Sequence, residues 1–191
     1  NRGVAQAVIT EFRCPSDGSP NLMDGRANVA GPLAVNSYKA SSGSNWNWGK
    51  FSPVVSTFGR NANNPDGLEQ CNGLICRGGG LRPTVTRLVD ITDGTSSTFA
   101  TGEAVARWST HTWWYWFNGV TAPCAIPLNH KRLPESSIAD WVEHNGFKSE
   151  HGNGANFGFV DGSVRFLSEE VDMSVYRALA TVQGEEITGD F

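Results

Sequence analysis

A chain of 191 residues with a net charge of −4 is long enough for one domain with a sizeable core. The charge excludes a basic footprint for nucleic acid and a polybasic membrane anchor, and no apolar run is long enough to span a bilayer. With 22 Gly and 9 Pro, long loops are expected between short elements.

In chain order, Val4, Val8 and Ile9 with Ala5 and Ala7 predict a short helix within residues 3–12, ended by Cys14-Pro15. Residues 16–32 read as a loop. A strand is expected over 33–40, centred on Asn36-Ser37-Tyr38, followed by a loop over 41–49 that carries Trp46 and Trp48. A second long loop, 61–82, holds Cys71 and Cys76. Val85, Leu88, Val89 and Ile91 fit a short helix as well as a strand, and Asp93-Gly94 makes a turn. A strand follows over 97–106. Trp113-Trp114-Tyr115-Trp116-Phe117 forms the body of an aromatic strand, and 122–145 is mostly irregular.

The C-terminal part is the most legible. Asp161-Gly162 stands between two apolar, β-rich runs, a strong hairpin signal. With Asp161 and Gly162 as the two residues of a type I′ turn, Phe159 faces Val164 and Phe157 faces Phe166. Phe157, Phe159, Val164 and Phe166 then share the core face, since side chains alternate along a strand. Asp172 is a good N-cap for a helix over about 173–181, with Val171, Val175, Leu179 and Val182 at helical spacing and Gly184 ending it.

Four cysteines, Cys14, Cys71, Cys76 and Cys124, allow three connectivities. Cys71 and Cys76 are close enough for a local bridge, which leaves Cys14 with Cys124. Zinc is disfavoured, because no Cys-x-x-Cys occurs and no His stands at ligand spacing beside these thiols. Four reduced, buried thiols are the alternative for a cytosolic chain.

Several ordered segments resemble one family. They are Phe12-Arg13-Cys14-Pro15-Ser16-Asp17, then Ile91 through Thr98 running to Gly102-Glu103, then His151 followed after nine residues by Asp161-Gly162 and Ser163-Val164-Arg165-Phe166-Leu167-Ser168. Tyr176-Arg177-Ala178-Leu179-Ala180-Thr181 closes the series. This order is similar to the DUF1559 family of bacterial prepilin-like proteins with a His-X9-Asp-Gly signature. The likeness is weak over 25–82 and 104–148.

The motif positions are Asp93, Gly94, Thr95, Glu103, His151, Asp161 and Gly162, and their expected role is structural. The resemblance implies a basic leader and a hydrophobic N-terminal helix that anchors the subunit in the membrane before assembly and then packs into a filament. This chain starts at Asn1 without Met, signal peptide or such a helix, and so reads as the soluble head.

His151 and Asp161 look catalytic, but a hairpin puts Asp161 at its tip and His151 beyond the far end of a strand, out of hydrogen-bond reach. Asp161 is expected to support its turn and His151 to satisfy a loop carbonyl. Asp90 and Asp93, with Glu103, are the set that calcium would take, as some pilin-like heads hold calcium in a loop. The EF-hand pattern fails there, and a turn with side-chain capping bonds is the simpler account. No Gly-x-Ser-x-Gly elbow occurs, and His111, His130 and His144 lack zinc-motif spacing. Cys14 is a nucleophile only with a distant His, and a disulfide explains it better. Trp46 and Trp48, and Trp114 and Trp116, each share a face if extended. Exposed indoles there would stack on sugar rings; core and subunit packing is the plain alternative.

The expectation is one domain over 1–191, of α+β class. It is a pilin-like head with a β-rich antiparallel sheet, long loops and a short C-terminal helix. The expected role is a non-enzymatic, extracytoplasmic (periplasm or cell surface) subunit of a surface filament or secretion pseudopilus, partnered by other pilin-like subunits and needing no cofactor. A polysaccharide-binding module using the tryptophans is the first alternative. The second is a secreted hydrolase, which requires a cleft joining His151 or His111 to a carboxylate and a nucleophile.

Overall fold

The computed structural model describes residues 2–24, 31–78, 84–109, 112–116, 119–130 and 141–185. The chain opens with the short helix α1 (Arg2–Ala5), carries a second, α2 (Trp141–His144), between its fifth and sixth strands, and follows its last strand with helix α3 (Met173–Ala178). The strands are β1 (Leu22–Asp24), β2 (Pro32–Ala34), β3 (Tyr38–Ser41), β4 (Phe99–Glu103), β5 (Thr121–Ala122), β6 (Gly154–Phe159) and β7 (Val164–Ser168). β1 and β2 form a small antiparallel pair, and the main sheet has the order β5-β3-β4-β6-β7. Its pairs are antiparallel except β3 with β5, which run parallel. The class is α+β, mostly sheet with a short C-terminal helix.

Alternation along β6 sets the two faces of this sheet. Ala155, Phe157 and Phe159 are buried in the main core with Phe99, Phe147, Leu167, Tyr176 and Leu179, while Asn156 and Gly158 point to the other side. α3 closes the core face. As expected, Asp172 caps it: the carboxylate accepts from Ser174 N at 2.7 Å. The helix stops earlier than Gly184, with Leu179 as its C-cap.

The hairpin forms at Asp161-Gly162, but its register differs from the expected one by one residue. Gly158 pairs with Val164, Phe157 with Arg165 and Asn156 with Phe166. Gly162 takes a positive φ of 86° and Asp161 does not, so a type I′ turn is not formed. Instead Phe159 N donates to Ser163 O at 2.8 Å and Gly162 N to Phe159 O at 3.0 Å, closing a three-residue loop with glycine at its left-handed position. The extra loop residue turns β7 over. Leu167 enters the core, whereas Val164 (68% exposed) and Phe166 (53%) lie outside.

Other expectations are corrected by the chain's turns. The strand over 33–40 is two strands in different sheets, because Asn36 and Ser37 give their N–H groups to Thr112 O and Phe12 O at the break. Residues 22–24, expected as loop, are β1. The aromatic run is no strand. Trp113 makes a single bridge to Val35, and Trp116 N then donates to Trp113 O, so a turn stacks the two indoles with centroids 5.7 Å apart. Phe117 lies outside the described residues. Residues 84–91, ambiguous in sequence, contain only a 3-10 turn at Leu88–Asp90.

Gly102 is a site of close approach between aromatic rings in the core. It pairs with Phe157, and a Cβ there would lie 2.5 Å from the Phe157 ring and 2.7 Å from that of Phe147. Both rings are fully buried and have nowhere to retreat. Gly102→Ala is therefore expected to destabilise by about 1–3 kcal/mol, through overpacking. Urea unfolding checks this; a loss under about 0.5 kcal/mol would show that the rings can move.

Candidate functional site

On the face opposite α3, β4 presents Thr101 and Glu103, since these alternate with core-facing Gly102. β6 presents Asn156 and Gly158, β3 presents Tyr38, and β7 presents Val164. Together with Cys14, Pro15, Ser16 and His151 they line a cavity of about 480 Å³. Cys14 arrives on the turn after Thr10–Phe12, closed by Asp17 N donating to Cys14 O at 3.0 Å. His151 sits just before β6, with its own N–H donated to Ser149 Oγ at 3.0 Å.

Three side chains converge at one end of this cavity. Glu103 Oε1 lies 3.5 Å from Cys14 Sγ and 3.2 Å from His151 Nε2, and the thiol lies 3.9 Å from the same ring nitrogen. Glu103 is buried, and its second oxygen is occupied, accepting from Asn156 N at 2.7 Å and facing Asn156 Nδ2 at 3.4 Å. The Tyr38 phenol also borders Cys14. Burial first, then the neighbouring Cys14, Glu103 and Asp17, push its pKa up to about 12, so it stays protonated at neutral pH.

This cluster corrects two expectations. His151 meets a carboxylate, not a loop carbonyl. Cys14 has no disulfide partner: it lies on the open face of the sheet, whereas Cys124 is buried in the core beside Tyr176, where burial pushes its thiol pKa up. The expected Cys71–Cys76 bridge is present, with a Cα–Cα distance of 5.3 Å. Asp161 supports its turn, accepting from Ser163 N at 2.8 Å.

The other motif positions are joined elsewhere. Thr95 O accepts from Asp161 N, and Thr98 O from Val160 N, so the turn at Asp93-Gly94 docks on the hairpin tip. Asp93 Oδ2 accepts from Thr181 Oγ1 (2.9 Å) and Gly184 N (2.8 Å), and Oδ1 from Glu185 N (2.9 Å). Asp90 is held by the Arg87 side chain and N–H, which bring its carboxyl down to about 2. The carboxylates of Asp90 and Asp93, the alternative calcium pair, are thus each engaged in hydrogen bonds within the chain. Among the described residues, the one grouping of three or more metal-ligating side chains is Cys14, Glu103 and His151.

The tryptophans fall into separate packing clusters. Trp46 is 0% exposed and gives its Nε1–H to Val142 O at 3.2 Å; Trp48 and Trp141 pack edgewise on it. Trp114 is half-buried, edge-on to Phe12, and its Nε1–H reaches Ala7 O at 3.0 Å. Trp116 is half-buried against Trp113. Of the four indoles that the sugar-binding alternative named, the first is thus sealed in the core and the other three make intrachain packing contacts. His130 packs on Phe51 and faces Glu143 at 3.7 Å, and His144 is buried; neither touches the cavity. His111 lies outside the described residues.

Sequence reasoning placed Glu103 and His151 among motif positions but did not join them to Cys14. The signal was there only as three family-like segments, each of which supplies one member of the cluster. What the fold defines is a β-rich α+β domain with a Cys-Glu-His cluster on the open face of its sheet. The chain belongs to the family described as "Protein of unknown function (DUF1559)", whose model matches residues 1–174. No curated protein and no solved structure matches it. Among the described residues, no helix is long and apolar enough to cross a membrane.

Proposed function

We propose that this chain is the head of a non-enzymatic, extracytoplasmic pilin-like subunit, working by assembly with other pilin-like subunits in a surface filament or secretion pseudopilus. The observation that carries this reading is the two-sided sheet. One face is closed by α3, while edge strand β7 leaves Val164 and Phe166 apolar and exposed on the other, a surface suited to packing against a helix or a neighbouring subunit. The Cys71–Cys76 bond supports an oxidising compartment.

Mass spectrometry of the mature native protein tests the proposal. The expected result is a hydrophobic helix of about 20 residues or more ahead of Asn1, behind a processed N-terminus. A native start near Asn1 left by an ordinary signal peptide would overturn assembly through such a helix.

A secreted hydrolase is the second reading, because Cys14, Glu103 and His151 do meet in a cleft. The geometry weighs against it. Thiol and carboxylate both address His151 Nε2, whereas a relay needs the base to take the thiol proton on one nitrogen while the carboxylate orients it from the other.

A further inference from the structure

We infer that Cys14, Glu103 and His151 form a three-ligand site for a zinc-class divalent cation, with the fourth position open to the cavity. The three donor atoms already stand close to three vertices of a coordination tetrahedron. With zinc bonds of about 2.3 Å to sulfur and about 2.0–2.2 Å to nitrogen and oxygen, tetrahedral edges are about 3.6 Å for sulfur to either partner and about 3.4 Å for nitrogen to oxygen. The chain presents Sγ···Oε1 at 3.5 Å, Sγ···Nε2 at 3.9 Å and Nε2···Oε1 at 3.2 Å. Shifts of about 0.1–0.3 Å satisfy all three: Sγ···Nε2 shortens, while Sγ···Oε1 and Nε2···Oε1 lengthen.

The outer contacts suit the same assignment. Glu103 is anchored through Oε2 by Asn156, so that Oε1, the oxygen facing Cys14 and His151, is the single donor it offers. The turns carrying Cys14 and His151 are held by hydrogen bonds that need no metal, Asp17 N to Cys14 O and His151 N to Ser149 Oγ, so the ligands are positioned beforehand. A thiolate, a carboxylate and a neutral imidazole offset the charge of one divalent ion, and the donor set of sulfur, nitrogen and oxygen selects zinc over magnesium or calcium. The cluster lines the same cavity as Tyr38, Thr101 and Asn156, which leaves room for water or a small anion as the fourth ligand. The ion would tie the segment around Cys14 to β4 and to the start of β6.

Titration of the metal-stripped chain with cobalt(II), then zinc, tests the site. One equivalent of cobalt is expected to give a near-ultraviolet thiolate charge-transfer band and strong tetrahedral visible bands, both displaced by zinc. Cys14→Ser is expected to abolish the charge-transfer band, and His151→Gln and Glu103→Gln to weaken binding by about 100-fold, at least the loss seen for outer-shell partners. Circular dichroism of each variant separates lost binding from lost folding. Azide is expected to shift the visible bands through the open position; bands that azide leaves unmoved would overturn that part.

Alkylation supplies a readout independent of spectroscopy. Under native conditions iodoacetamide reports on Cys14, because Cys124 is buried and Cys71 and Cys76 are bonded to each other. Zinc is expected to slow the reaction by about tenfold or more, since the bound thiolate is shielded. No cobalt band together with an unchanged alkylation rate would overturn the proposal and leave the cluster a hydrogen-bonded trio.

Discussion

Lys39→Met is expected to remove most of a stability gain that the native chain shows on going from neutral to alkaline pH. Lys39 lies on the core face of β3 opposite Gly102, fully buried, with Nζ donating to Asn145 Oδ1 at 3.0 Å. Burial first, and the neighbouring Lys148 second, bring its pKa from 10.5 down to about 7. Between those two values the unfolded chain binds the proton and the folded chain does not, so stability rises with pH across that window. Above it both states are neutral and the penalty vanishes; below it both are charged and the folded state carries the whole burial cost. At about 1.4 kcal/mol per unit, the full effect is on the order of 5 kcal/mol. Urea unfolding of both proteins from pH 6 to pH 10 measures it, and the difference between the curves cancels groups that titrate in both. Parallel curves would show that Lys39 keeps an ordinary pKa.

Phe157→Ala is expected to destabilise the chain by about 3–5 kcal/mol, the range for deleting a buried aromatic ring. The ring stacks on Phe99 at 4.3 Å between centroids, meets Phe147 edge-on at 5.1 Å and approaches Tyr176 at 6.0 Å. These partners come from β4, from the segment after α2 and from α3, so the hole opens where the elements meet and cannot collapse onto one side. Phe166→Ala, one strand away, is expected to change stability by about 0.5 kcal/mol or less, because that ring is already outside. The pair tests the hairpin register as well as the core. Equal losses at Phe157 and Phe166 would restore the two-residue turn with both rings on one face. Should Phe157→Ala fail to fold, Phe157→Leu measures the same site with less volume removed.

The hairpin, its helix cap and the local disulfide were legible because each depends on residues close in sequence. The register was not, because Asp161-Gly162 supports two loops that differ by one residue, and the choice depends on which of them takes positive φ. The aromatic run misled for a related reason. Trp and Tyr favour strands through packing, and here a turn bond from Trp116 to Trp113 packs the rings better than alternation would. The Cys-Glu-His cluster had no spacing rule to reveal it: Cys14 stands 89 positions from Glu103 and 137 from His151. Motifs of the Cys-x-x-Cys kind find ligands that share a turn, whereas these meet only after three distant segments reach one sheet face.

That sheet also determines how the chain must fold. β4 joins β6 with its partner residues more than 50 positions apart, as the contact of Glu103 with Asn156 at a separation of 53 illustrates, and Lys39 reaches Asn145 across 106. Such topology makes assembly slow compared with a helical bundle, because large loops must close before their contacts stabilise anything. The same arithmetic makes the excursions permissive, since doubling a loop adds only about 0.6 kcal/mol of closure entropy. The exposed turns within the stretches between β3 and β4, and between β4 and β6, can therefore lengthen or shorten while the paired strands, β5 among them, stay in place, leaving a constant frame on which different outer surfaces are carried.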